Sequence, residues 1–234
     1  MTNNSYSVFN AMVDIVASPR KAFGEIKSHS GWFWWPLLIG LMLSLGMFVY
    51  YYSWVDFPWL VEETIQQLPA ESRAEGAEGV RQFMQRDASM WTSLIAVVVM
   101  SFIIYLIQAT YFHLANKLTT GAEIAYGQWF SFCVWSGFVG VFGSLAAFVL
   151  MFTADSNQLA TESLAVLSLN SLLVHASPGE PWFTWASSLT LINFWMIFLV
   201  SIGYALWTGA SMMKSATIAI LPWAAIFGIW AAMI

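Results

Sequence analysis

The chain is short of charge. Only 21 of its 234 residues are Asp, Glu, Lys or Arg, a share of 9 %, where a soluble globular domain carries about 25 %. A water-soluble fold of this size could not cover itself with so few. Basic residues are the scarcer sign: 8 Lys and Arg against 13 Asp and Glu leave a net charge of −5, which excludes the basic face a nucleic-acid partner requires. Cysteine is almost missing. Cys133 stands alone in an apolar run, so neither a disulfide framework nor a thiolate metal cluster is available, and a small packing residue is expected there. The sequence also holds no Gly-rich phosphate loop, no H-E-x-x-H, no C-x-x-C and no G-x-S-x-G, the arrangements that carry phosphate, zinc, redox or acyl chemistry. His29 and His175 fall near opposite faces from each other, so with His113 they make no three-histidine metal site. No enzyme activity, cofactor or metal is expected.

Apolar bulk takes the place of charge. The set AVILMFWYC makes up 59 % of the chain and aromatics 17 %, with 14 Trp. Such a composition excludes intrinsic disorder, which needs low hydrophobicity and high charge. It predicts an all-α polytopic membrane protein. A span needs about 20 predominantly apolar residues, and five windows qualify: 36–55, 91–115, 129–153, 184–207 and 217–234. None contains Asp, Glu, Lys or Arg. Trp32, Trp34 and Trp35 open the first window and Tyr50, Tyr51, Tyr52 and Trp54 close it, as headgroup-level anchors do. The polar, mixed first 31 residues lack a short apolar core with a cleavage site, so the first span is expected to direct insertion itself.

Orientation follows from the basic residues. An inside N-terminus places Arg20, Lys21, Lys27, Lys117 and Lys214 in the cytoplasm and Arg73, Arg81 and Arg86 outside. Ten of the 13 carboxylates then lie in the outer loops, 56–90 and 154–183. Segment 1–35 is the inner, interfacial part. Val8, Phe9, Met12, Val13 and Val16 share one helical face, the spacing of a helix lying on a membrane surface. Ser18-Pro19 reads as an N-cap followed by proline at the first helical position. A second short helix follows through Lys27, with Arg20, Lys21 and Lys27 facing anionic lipid.

The outer loops carry short helices of their own. Val61, Ile65 and Leu68 recur at helical spacing up to Pro69, and Val80, Phe83 and Met84 repeat the pattern, so the second span is expected to begin as a helix outside the bilayer. Apolar residues 159–174 lie along the interface, and Pro178-Gly179-Glu180-Pro181 turns the chain back. The outer carboxylates Glu62, Glu63, Glu71, Glu75 and Glu78 read as a solvated loop.

Small residues four apart permit close helix approach in lipid. Gly40 and Ser44 in the first span, Ser136, Gly140 and Ser144 in the third, and Ala224, Gly228 and Ala232 in the fifth form such seams, within one chain or in a homo-oligomer. Polar side chains at membrane depth are costly and are the natural place to look for function. They are Gln108, His113 and Asn116 on the second span, Gln128 at the start of the third and Asn193 in the fourth. The bland reading of His113 is a helix-to-helix hydrogen bond. The sharper reading is a small-ion or small-solute path through this polar group.

The segment Ala17-Ser18-Pro19-Arg20-Lys21-Ala22-Phe23, the Trp35-Pro36-Leu37 opening of the first span, Gly121 with Tyr126-Gly127 before the third, and Ser211, Lys214 and Ser215 before the last form one arrangement. It resembles the bacterial branch of the Yip family, five-span proteins whose eukaryotic members interact with Ypt/Rab GTPases. The resemblance runs from about residue 8 to the end. It implies an inner-membrane location, a cytoplasmic N-terminus, a periplasmic C-terminus and a scaffold or membrane-organising role with the bilayer and other membrane proteins as partners. The acidic Asp-Leu-Tyr-Gly-Pro-like motif of the eukaryotic proteins is missing. The nearest piece to the family's Gly-Tyr-containing signature is Ala125-Tyr126-Gly127, an incomplete match, so Rab binding is not implied.

Overall fold

The computed structural model describes residues 6–68 and 73–234. Pro69, expected to end the first loop helix, and Glu71 lie outside the described residues. Within them every regular element is helical, and one isolated bridge joins Ser168 to Thr190. In chain order the α-helices are α1 Val8–Ala17, α2 Pro19–Ser28, α3 Trp34–Trp54, α4 Phe57–Gln66, α5 Arg73–Phe83, α6 Arg86–Thr119, α7 Tyr126–Gly137, α8 Val141–Thr153, α9 Phe183–Ser188, α10 Leu191–Thr208 and α11 Met212–Met233. Five helical runs among the described residues are long and apolar enough to cross a membrane: Ser30–Trp54, Arg86–Thr119, Tyr126–Thr153, Leu191–Thr208 and Met212–Met233.

Most runs outgrow the apolar windows because helices continue into polar flanks. The fourth departs the other way. It was expected from residue 184 and begins at Leu191, because α9 stops at Ser188 and Leu189 is extended. Leu189 and Leu191 spend their backbone groups on Leu169 and Leu167 instead, at 2.7 and 2.9 Å. The helix expected to lead into the second span is also separate. Here α5 ends at Phe83, and α6 starts at Arg86.

Two compact units make up the chain. The first comprises Met1–Gly40, Met100–Gly140 and Ile192–Ala232. Its core is aromatic: Phe23, Phe112, Trp129, Phe132, Tyr204 and Trp207 are buried. Ring centroids lie 5.2 Å apart for Phe23–Phe132, 5.5 Å for Trp129–Tyr204 and 5.1 Å for Phe132–Trp207. Each such pair contributes about 0.5–1.5 kcal/mol beyond its buried area. Gly203 makes room for them, since a Cβ there would meet a Phe132 ring carbon at 2.5 Å and Phe23 at 3.0 Å. Cys133 is buried in the same core.

The second unit comprises Leu41–Val99, Val141–Leu191 and Met233–Ile234. Tyr51, Tyr52, Val55, Leu60 and Met151 form its core. The Tyr51 hydroxyl donates to the Leu159 carbonyl at 2.8 Å, and Asp56 caps α4 by accepting from the Trp59 N–H.

Candidate functional site

The polar and basic side chains gather at helix ends. The last four carbonyls of a helix have no intrahelical donor, and a cation placed there also meets the negative end of the helix dipole, worth about 0.3–1 kcal/mol and up to ~2 when partly buried. Among the described residues the device appears four times. Lys27 donates to the Trp207 carbonyl near the end of α10 at 2.9 Å, and Lys214 to the Thr119 carbonyl at the end of α6 at 2.9 Å. Arg86 donates to the carbonyls of Tyr52 and Val55 at the end of α3. Arg73 reaches those of Gln66 and Leu68 at the end of α4. Lys27 therefore differs from Arg20 and Lys21, with which it was grouped as a lipid-surface contact: its ammonium holds a helix terminus.

In the first unit these bonds close on one another. Gln128 accepts from the Ala125 N–H at 2.9 Å and donates to the Lys27 carbonyl at 2.9 Å. The Trp207 indole donates to the Phe23 carbonyl at 2.8 Å. Helix α2 is thereby tied to the start of α7 and the end of α10. Asn116 is buried and finishes α6: it donates to the Ala122 carbonyl at 2.8 Å and accepts from the Thr120 hydroxyl at 2.6 Å. Gly121 follows with a φ of 65°, the left-handed turn that glycine adopts without penalty after a helix.

The α1–α2 pair is locked by a polar triad. Lys21 meets Asp14 at 2.8 Å and lies 4.9 Å from the Tyr6 ring, while the Tyr6 hydroxyl donates to Asp14 at 2.9 Å. Hydrogen bonds from Lys21, then from Tyr6, hold the Asp14 carboxyl below its ordinary value. Burial and the same carboxylate push the Tyr6 phenol up. Pro19 opens α2 as expected, but the Ser18 side chain makes no cap bond. The apolar face of α1 divides in two. Ala11 and Ile15 are buried, whereas Phe9 and Val13 are 60 % and 66 % exposed. Arg20, near the start of α2, is also exposed.

The second-span polar residues go separate ways. Gln108 lines a cavity between α6, α10 and α11 whose lining includes neither His113 nor Asn116. The His113 ring stands edge-on to Tyr126 at 5.9 Å, and its Nδ1 is buried with no hydrogen-bond partner among the described residues. Asn193 sits in the first turn of α10, half-buried and engaged. The seams behave unequally too. Ser44 and Ser144 meet, hydroxyl to hydroxyl, at 3.2 Å, and Ser136 is buried with its hydroxyl on the Phe132 carbonyl. A Cβ on Gly40, Gly140 or Gly228 would meet nothing within 4 Å, and Ala224 and Ala232 are exposed.

Two positions of consequence escaped the sequence reading. Among the described glycines, Gly203 is the one where an added Cβ would come nearest to a neighbour, 2.5 Å from Phe132. Tyr111 donates to the Ile218 carbonyl at 2.7 Å, the group that Pro222, four residues on and without an N–H, leaves unpaired. A proline inside an apolar window is the signal that such a donor is needed.

Comparison with known proteins gives one match: the family model described as the Yip1 domain covers residues 13–233. No curated protein and no solved structure matches the chain.

Proposed function

The chain belongs to the Yip1-domain family and carries five membrane-crossing helical runs, and from that premise we propose that it is a non-enzymatic scaffold that organises membrane and binds other membrane proteins. It resides in the cytoplasmic membrane with its N-terminus inside and its C-terminus outside. One observation carries the reading: the α1–α2 pair buries one apolar face in the protein and presents another, Phe9 and Val13 on α1, to its surroundings, while α2 carries the exposed Arg20 and Lys21. Exposed apolar residues on one short helix and exposed cations on the next suit the interface of an anionic leaflet. The use of Asn116, Gln128 and Lys27 to fasten helix ends supports a structural part for those polar residues. The exposed Ala224–Gly228–Ala232 stripe suits contact with a second copy or another span.

Reconstitution tests the reading. Protein in vesicles containing anionic lipid is expected to alter vesicle size or to be captured by photocrosslinkers at Phe9 and Val13 with a defined membrane partner. Both effects should weaken in Phe9→Ser and Arg20→Glu variants. Ion or solute flux that disappears in Gln108→Ala and His113→Ala would overturn it in favour of transport.

A further inference from the structure

The cavity lined by α6, α10 and α11 plays no part in that reading. It measures about 390 Å³, toward the lower end of small-molecule sites. Its wall is apolar and rich in rings, with Met196, Val200, Trp223 and Phe227 among its residues, and Ile107 and Ile226 at its margins are 63 % and 62 % exposed. Two polar side chains reach it. The Tyr111 hydroxyl is committed to the Ile218 carbonyl. The Gln108 amide, half-buried, takes part in no hydrogen bond among the described residues. Hydrocarbon offers such a group no partner, so an idle amide at this depth is costly to keep.

Depth narrows what the amide can meet. Gln108 lies nine residues before Lys117, the next charge along α6, a rise of about 13 Å. Roughly 6 Å of that belongs to the headgroup layer, which puts the amide about 7 Å inside the hydrocarbon. A phospholipid ester would reach it only by dragging its charged phosphate below the interface, at a large desolvation cost. A lipid with no charged headgroup has no such tether. We propose that the cavity binds a neutral, carbonyl-bearing lipid that enters from the bilayer. Its carbonyl accepts a hydrogen bond from the Gln108 amide, and its apolar body lies against Trp223 and Phe227. The ring faces favour a flat carbonyl-bearing group over a flexible chain.

Photolabelling of the whole protein in phosphatidylcholine vesicles decides it. Three diazirine probes of matched chain length are used: a long-chain ketone, the same hydrocarbon without the ketone, and a phosphatidylcholine labelled in one acyl chain. The ketone should label segments 104–112 and 222–227 well above Met42 and Val149, which are open to lipid elsewhere. Gln108→Leu should lower that labelling by about two- to tenfold, the range of one hydrogen bond, and leave the other probes unchanged. Ala219→Phe, which fills the cavity, should abolish it. If that variant does not fold, the near-isosteric Gln108→Leu still discriminates. Equal labelling by hydrocarbon or phospholipid probe, or ketone labelling unchanged in Gln108→Leu, would overturn the proposal. So would a crosslinked dimer with an unlabelled cavity, which would make a second copy the occupant.

Discussion

The bond from Tyr111 to Ile218 predicts how α11 tolerates its proline. Pro222 supplies no N–H to the carbonyl of Ile218, and the Tyr111 hydroxyl takes its place at 2.7 Å. Tyr111→Phe removes that donor and keeps the ring in its packing. Leaving a buried acceptor unsatisfied costs about 1–3 kcal/mol, whereas hydrogen bonds between membrane helices measure about 0.6–2 kcal/mol. The overlap of those ranges puts the expected loss near 1.5 kcal/mol, roughly tenfold in the folding equilibrium. Pro222→Ala returns an N–H to the helix and gives Ile218 an intrahelical donor. In that background Tyr111→Phe should cost close to nothing, which makes the coupling in a double-mutant cycle about 1 kcal/mol or more. Reversible unfolding in mixed micelles, followed by tryptophan fluorescence, measures all four corners. Equal losses from Tyr111→Phe in both backgrounds would refute the reasoning and show the hydroxyl to be packing without pairing.

Gly203→Ala forces a Cβ to within 2.5 Å of Phe132 and should lower stability by about 1–3 kcal/mol, while Gly228→Ala, with nothing within 4 Å, should leave the melting temperature unchanged. The depressed Asp14 carboxyl lends α1 stability that is full above the ordinary carboxylate value and is lost as pH falls through the depressed one. With the Lys21 side chain 60 % exposed the gain stays below about 1 kcal/mol. The hydrogen-exchange protection factors of α1, taken relative to the intrinsic amide rate at each pH, should fall at acid pH in the wild type, and Asp14→Asn should show the reduced protection already at neutral pH. Lys27→Met should lower thermal stability by about 0.5–2 kcal/mol through loss of its helix-terminal contact; Arg20→Met should not, and should instead weaken binding to anionic vesicles.

Much of this architecture was legible in the sequence because its signals are local. Five charge-free windows, the aromatic belts and the Pro19 helix start each depend on a few neighbouring residues. The boundary at Leu191 was not legible, because nothing within residues 184–190 stops a helix. Pairing with Leu167 and Leu169 does that, from some 20 residues away. Among the candidate site residues, type and depth singled out Gln108 and Asn116 equally. Their fates parted on partners that no spacing rule encodes: Asn116 found the Ala122 carbonyl, and Gln108 faced a cavity made by three distant segments. At Gly40 and Gly228 an added Cβ would meet no neighbour among the described residues, which leaves those two seam positions open to contacts between chains. A small residue permits close approach without requiring it, and Gly203, in no repeated pattern, is where rings came close.

The helix-terminal cations have a consequence for how the protein's sidedness would be mapped. Lysines are the usual targets of membrane-impermeant amine reagents, and protection is taken to mean the far side of the bilayer. In this chain Lys27 is half-buried and donates to a helix-end carbonyl, so its nitrogen is occupied on either side of the bilayer, whereas the contacts of the exposed Lys21 and Lys214 are too weak to withhold theirs. Lys117 has no hydrogen bond or ion pair among the described residues and is exposed. Its acylation rate reports location, whereas slow acylation of Lys27 reports the strength of the fold.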